Sequence, residues 1–166
     1  MPRDVYLVAF ADFPPDEMDA LVAHYFEKFE LSIRILPPIA IPDSAVDRER
    51  GQLIAERLLE ALAAEPAVSR DPAAVVIALT DQDIYIAARD WNYAYGLRSL
   101  GTHALVSTAR MTDGASPATQ TQRLRKMVTK NLGILYYGLD VSDDPRSVLY
   151  KDILGPADLD FMSEDF

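Results

Sequence analysis

Apolar residues recur along this chain in two rhythms, as short unbroken or alternating runs and as longer runs spaced by three and four. The run DVYLVAFA at 4–11 reads as a buried strand, and Pro14 and Pro15 then break it. Met18, Leu21, Val22, Tyr25, Phe26 and Phe29 fall on one face of a predicted helix over 16–29. Leu31, Ile33 and Ile35 alternate with Ser32, Arg34 and Leu36, predicting a second strand, and the PPIAIP that follows is too proline-rich for anything but a loop. Good helix formers over 47–64, with Leu53, Ile54, Leu58, Leu59 and Leu62 facing inward, predict a second helix. Residues 66–72 read as a loop, and AVVIAL at 74–79 as the central strand, leaving through a polar exit at 80–83. Tyr85, Trp91, Tyr93 and Tyr95 mark 84–96 as largely extended, with a short strand at its start. Residues 102–111 predict another strand, with a turn at 112–116.

The chain is organised around what comes next, PATQTQRLRKMVTKNLGILYYG at 117–138. Ser116 and Pro117 are a helix-start signal: a capping oxygen, then a ring pre-set for the first turn. Leu124, Val128, Leu132, Leu135 and Leu139 make one apolar stripe, while Lys130 and Ile134 lie on roughly the opposite side beside Met127 and Tyr137. This helix is expected to be buried on two sides, with Lys130 and Asn131 as its polar exceptions and Gly138 as its stop. The acidic tail at 158–166 reads as a short solvated helix or a frayed end. The order β-α-β-α-β-β-α predicts an α/β (α+β) fold, a twisted mixed sheet with helices packed on it.

Composition narrows the functions. The 166 residues suit one domain spanning 1–166, without repeat, low-complexity tract or linker. A net charge of −10 and no basic cluster argue against nucleic acid as a partner. The absence of cysteine excludes disulfides and thiolate metal sites. The first strand begins within a few residues of Met1, with no signal-peptide pattern, and no apolar run is long enough to span a bilayer. The expectation is a soluble, cytoplasmic protein with no membrane partner; the oligomeric state is left open.

The run LRKMVTKNLGILYYGLD resembles the active-site helix of the archaemetzincins, metzincin zinc peptidases whose helix carries H-E-x-x-H-x-x-G-x-x-H. DRERGQLIAERLLEAL, ALTDQDIYIAARDWNYAYG and ALVSTARM resemble segments of the same family in the same order, and RSVLYKDILGPADLDF resembles the turn that carries a methionine beneath the metal. The resemblance implies a metzincin-like twisted mixed sheet of four to five strands, with two helices packed on it and a long active-site-type helix. It sets the three zinc histidines at Lys130, Ile134 and Asp140, the catalytic Glu at Asn131, the glycine at Tyr137 and the turn methionine at Leu149. It also implies a second, cysteine-rich zinc site, which a chain without cysteine cannot form.

Two histidines four residues apart serve zinc because one helical turn puts both imidazoles on one face, with the Glu polarising the bound water. Ile134 has no donor atom, Lys130 brings a positive charge, and the Asn131 amide cannot act as a base. No metal or other cofactor is therefore expected. An ion pair of Lys130 with Asp140, with Ile134 and Leu149 filling the remaining space, is the expected replacement. His24 and His103, the only histidines, read as ordinary partly exposed residues. Asp81 and Asp83, after the central strand, are either an acid–base pair in the cleft or a capped turn. The resemblance sets Ser107 and Thr108 on an edge strand lining the cleft, where a peptide can add by main-chain bonds. Tyr137, Leu149 and Tyr150 are further cleft candidates. Trp91, Tyr93, Tyr95, Tyr136, Tyr137 and Tyr150 either line a ligand cleft or belong to the core.

The function expected is that of an inactive, non-catalytic pseudo-peptidase with a binding or regulatory role and a peptide or protein ligand in its cleft. The alternatives are a metal-independent hydrolase reusing that cleft, a peptidase with a non-standard metal site, or a purely structural subunit.

Overall fold

The computed structural model describes residues 3–99 and 101–166. In chain order, the first half contains β1 (Val5–Ala9), α1 (Pro15–Phe29), β2 (Ile33–Ile35), β3 (Val46–Asp47), β4 (Gln52–Ile54), α2 (Ala55–Ala64) and α3 (Pro66–Ser69). The second half contains β5 (Val75–Thr80), β6 (Ile84–Tyr85), β7 (Gly96–Arg98), β8 (His103–Ser107), α4 (Pro117–Leu135) and α5 (Pro156–Phe161). The strands form two mixed sheets. One has the order β2-β1-β5-β8-β7, parallel except for the last pair, and the other the order β3-β4-β6.

All six residues of β5 are buried, because the strand is covered on both faces. Its alternate side chains divide between two cores. Val75, Ile77 and Leu79 pack with residues of α1, α4 and α5, while Val76 and Ala78 pack with residues of α2 and β4. The α/β class and the central place of 74–79 are as the sequence implied. Among the described residues no helix is long and apolar enough to cross a membrane.

Three sequence expectations change before the long helix. The helix predicted over 47–64 begins only at Ala55, because 46–54 turns back as a hairpin. Gly51 sits at φ +65°, Asp47 accepts the Arg50 N–H at 3.1 Å, and Leu53 pairs with Ile84. Helix propensity there gives way to strand pairing with a distant segment. Residues 66–69, read as loop, make the single turn α3. The strand predicted over 102–111 stops at Ser107 and continues as a turn of 3₁₀-helix.

The long helix is capped as its first residues suggested, with the Thr119 N–H donating to Ser116 Oγ at 3.2 Å. It ends at Leu135, short of Gly138. The Arg3 guanidinium caps its last carbonyls, donating to Leu135 and Tyr136, where a cation also suits the helix dipole. Gly138, at φ +70°, then turns the chain so that the Leu139 N–H reaches the Gly133 carbonyl at 2.9 Å. Leu139, expected in the buried stripe, is consequently exposed.

Candidate functional site

Burial on α4 goes further than two apolar faces: Arg123, Lys126, Thr129, Lys130 and Asn131 are all buried. Arg123, Lys126 and Lys130 stand at spacings of three and four, so they share one face. Each reaches the chain that returns after the helix. Arg123 makes a bidentate pair with Asp160, both contacts at 2.8 Å, and donates to the carbonyls of Met111 and Asp113. Lys126 donates to the carbonyl of Leu159 at 2.9 Å, and Lys130 to that of Tyr150. Three cations thus pin residues 150–160 against the helix.

Lys130 and Asn131 also form part of the floor of a cleft of about 540 Å³. One wall is the segment from Ile86 to Arg98, carrying Trp91, Tyr93 and Tyr95; the other is Lys151, Ile153 and Leu154. The first wall is held from behind. Glu56 accepts the N–H groups of Ala87 and Ala88 at 2.8 and 2.9 Å, and Gln52 donates to the Asn92 carbonyl at 2.8 Å. Burial, together with the charge of Arg98, lowers the pKa of Lys130 to about 8 against the opposing pull of Asp152. Arg98 is itself lowered by burial. Its guanidinium lies 3.5 Å from Asn131 Oδ1, and the Asn131 amide donates to the Met127 carbonyl one turn back at 2.8 Å.

Strand β7 is the edge of the larger sheet and borders this cleft. Ser107 N–H donates to the Tyr95 carbonyl and Ser99 N–H to that of His103, so the odd-numbered residues bond to β8. By the antiparallel alternation, the main-chain N–H and C=O of Gly96 and Arg98 point away from it. The two strands approach so closely at Gly96 that a Cβ there would lie 2.4 Å from the Leu105 carbonyl oxygen.

The cleft differs from the one expected. Ser107 and Thr108 do not line it, because β7 covers β8. The Ser107 hydroxyl is buried and donates to the Gln82 carbonyl at 2.6 Å. Asp81 is exposed, and Asp83 accepts from Gln52 at 3.0 Å and Arg110 at 2.7 Å, so the two do not work as a pair in the cleft. Tyr137 packs outside it against Phe29 and Phe166, and Leu149 packs at Gly133, one turn along the helix from Lys130, outside the cleft lining. Tyr150 contributes its carbonyl to Lys130. Of the six aromatics proposed, Trp91, Tyr93 and Tyr95 line the cleft.

Asp140 is exposed on the turn beyond the helix and makes no ion pair with Lys130, whose bond goes to Tyr150 instead. Ile134 is half-buried. His24 and His103 are both half-buried, on α1 and at the start of β8, each with its pKa lowered by burial. An ammonium, a carboxamide, a sec-butyl side chain and a lone exposed carboxylate do not fit a zinc ion. No group of three or more His, Cys, Asp or Glu able to hold a metal occurs among the described residues. Sequence reasoning missed Arg98, Gly96 and the pinning role of Arg123 and Lys126. The spacing of the last two from Lys130 was the available signal, whereas nothing periodic marks Gly-Leu-Arg.

No family model matches the chain. The chain is 29% identical over 154 residues to an archaemetzincin of Haloquadratum walsbyi, covering 87% of this chain and 84% of that one. Its fold matches the crystal structure of an archaemetzincin from Methanopyrus kandleri with a TM-score of 0.80 and 27% identity, over 99% of this chain and 89% of that one. An archaemetzincin from Archaeoglobus fulgidus matches with a TM-score of 0.79 at 20% identity, over 98% and 94% of the two chains. A zinc-dependent peptidase from Methanocorpusculum labreanum gives 0.78 at 17% identity, over 98% and 95%. Taken with the mixed α/β architecture, these likenesses make the chain archaemetzincin-like in sequence and in fold.

Proposed function

We propose that this archaemetzincin-like chain is a non-catalytic, single-domain pseudo-peptidase that holds an extended peptide in the cleft beside β7. The observation that carries the reading is Lys130: where the resemblance sets the first zinc histidine, an ammonium donates to the Tyr150 carbonyl. Asn131, at the position of the catalytic Glu, has an amide that takes up no proton. The free main-chain groups of Gly96 and Arg98 support the binding half of the proposal, since an unpaired strand edge accepts a peptide by β-augmentation. Trp91, Tyr93 and Tyr95 beside β7, with Ile153 and Leu154 on the wall opposite, supply surface for its side chains.

A metal-independent hydrolase is the second reading, favoured by a lysine whose pKa is lowered to about 8. Against it, among the described residues no serine, threonine, cysteine or histidine lines the cleft to act as nucleophile or relay. The test is to dialyse the purified protein against zinc, remove free metal and measure bound metal by mass spectrometry, with a peptide-library hydrolysis assay on the same sample. Substoichiometric metal and no cleavage are expected. One tightly held zinc per chain, with cleavage lost on chelation, would overturn the proposal. Cleavage that survives chelation and disappears in Lys130→Met would favour the hydrolase.

A further inference from the structure

The chain carries a net charge of −10, yet its cleft is locally cationic. Arg89, Arg98, Lys130 and Lys151 line it with Asp90, and the charge of Asp152 also reaches Lys130 without forming an ion pair. Two of these cations have evident occupations. Lys151 pairs with Asp143 at 2.7 Å, and Arg89 lies over the Trp91 ring with its guanidinium carbon 5.4 Å from the centroid. Arg98 and Lys130 are left over.

Neither Arg98 nor Lys130 pairs with a carboxylate among the described residues. An ammonium has three donors and a guanidinium five. Lys130 uses one on Tyr150, and Arg98 has one contact with Asn131, at the limit of hydrogen-bond length. Two like charges, both partly withdrawn from water and each raising the other's cost, stand at the floor of an open cleft with donors to spare. The remaining cations of the helix face show the contrast: Arg123 has its Asp160, and Lys126 has the carbonyls of Leu159 and Asp160.

We propose that the Arg98 guanidinium and the Lys130 ammonium together bind a carboxylate carried by the ligand, beside the free edge of β7. This rests on the peptide-groove reading and names the chemistry that fixes register within it. A singly charged carboxylate suits the site better than a phosphate or a polyanion. The protein's acidic surface repels multiple charge, and the walls around the two cations include Trp91, Tyr93, Tyr95, Ile153 and Leu154, which offer a polyanion nothing. Arg presents a planar fork to a carboxylate, and Lys adds a point charge on the other oxygen. The carboxylate can belong to a peptide C-terminus or to an acidic side chain.

Three acetylated tripeptides separate these cases: Ala-Ala-Ala with a free C-terminus, Ala-Glu-Ala amide, and neutral Ala-Gln-Ala amide. Titration into isotope-labelled protein, followed by the amide signals of Gly96 and Arg98 and the Arg98 Nε–H signal, gives Kd and location. At least one acidic peptide is expected to bind about tenfold or more tighter than the neutral one and to move the Arg98 Nε–H signal. Which of the two does so identifies the source of the carboxylate. Arg98→Gln should erase the preference with its thermal midpoint checked alongside, and Lys130→Met should do the same if the first variant folds poorly. Equal binding of all three peptides, with Gly96 shifting, would overturn the carboxylate subsite and leave the groove standing. Acidic preference unchanged in both variants would also overturn it. No shift with any peptide would remove subsite and groove together.

Discussion

Replacing Lys130 with methionine separates a buried charge from a solvated one, and the structure sets the size of the effect. The folded-state pKa falls from the ordinary 10.5 to about 8, and at about 1.4 kcal/mol per unit this disfavours the charged form by roughly 3 kcal/mol. In the unfolded chain the lysine keeps its proton up to about pH 10.5, whereas in the folded protein it releases it near pH 8. Between those values the unfolded state binds more protons, so stability rises with pH. The penalty is fully present below pH 8 and gone above pH 10.5. Methionine does not titrate, so the stability of the native protein minus that of Lys130→Met should climb by about 3 kcal/mol from pH 7 to pH 10.5. Arg98 on β7, and Asp152 and Lys151 on the returning chain, face the same space but occur in both proteins, so their own titration largely cancels. At pH 7 the variant loses a charge-assisted bond to the Tyr150 carbonyl, worth about 1.5–3 kcal/mol, which offsets most of the relief. Urea unfolding of both proteins across this range measures the difference. A flat difference would mean that Lys130 is hydrated, and the account of the cleft floor would fail with it.

Other parts of the structure make separate predictions. Gly96→Ala should lower stability by about 2 kcal/mol or more, read as a fall in thermal midpoint, because its Cβ would stand 2.4 Å from the Leu105 oxygen. Tyr25→Phe should cost about 1–2 kcal/mol in urea unfolding, since the buried hydroxyl bonds Thr129 Oγ1 at 2.7 Å and the Arg125 carbonyl at 3.0 Å. Hydrogen bonds from Arg123 hold the Asp160 carboxyl below its ordinary pKa, so their contribution is present above the usual carboxylate range and lost as pH falls from there through the lowered folded-state value. Acid unfolding curves should therefore converge for the native protein and Asp160→Asn at low pH and separate at neutral pH. Arg123→Met should destabilise by about 2–4 kcal/mol at neutral pH, leaving the Met111 and Asp113 carbonyls without their donor.

Much of this was legible without coordinates, because helix periodicity and unbroken apolar runs are local signals. AVVIAL reads as a central strand, and Ser116–Pro117 followed by the spaced leucines as the start of a long, buried helix, and both are found. That residues 130, 131 and 134 offer an ammonium, a carboxamide and a hydrocarbon was likewise written in the side chains themselves. What required tertiary structure were the pairings between distant segments. Gly-Leu-Arg at β7 carries no rhythm of its own and becomes an edge strand only because β8 offers it a partner; that partnership moves the cleft from Ser107 to Arg98. The hairpin at 46–54 likewise owes its form to β6 rather than to its helix-prone composition. Lys130 bonds to Tyr150 and not to Asp140 because Gly138 turns the chain away and the return segment passes over the helix face, a route that no nearest-neighbour rule encodes.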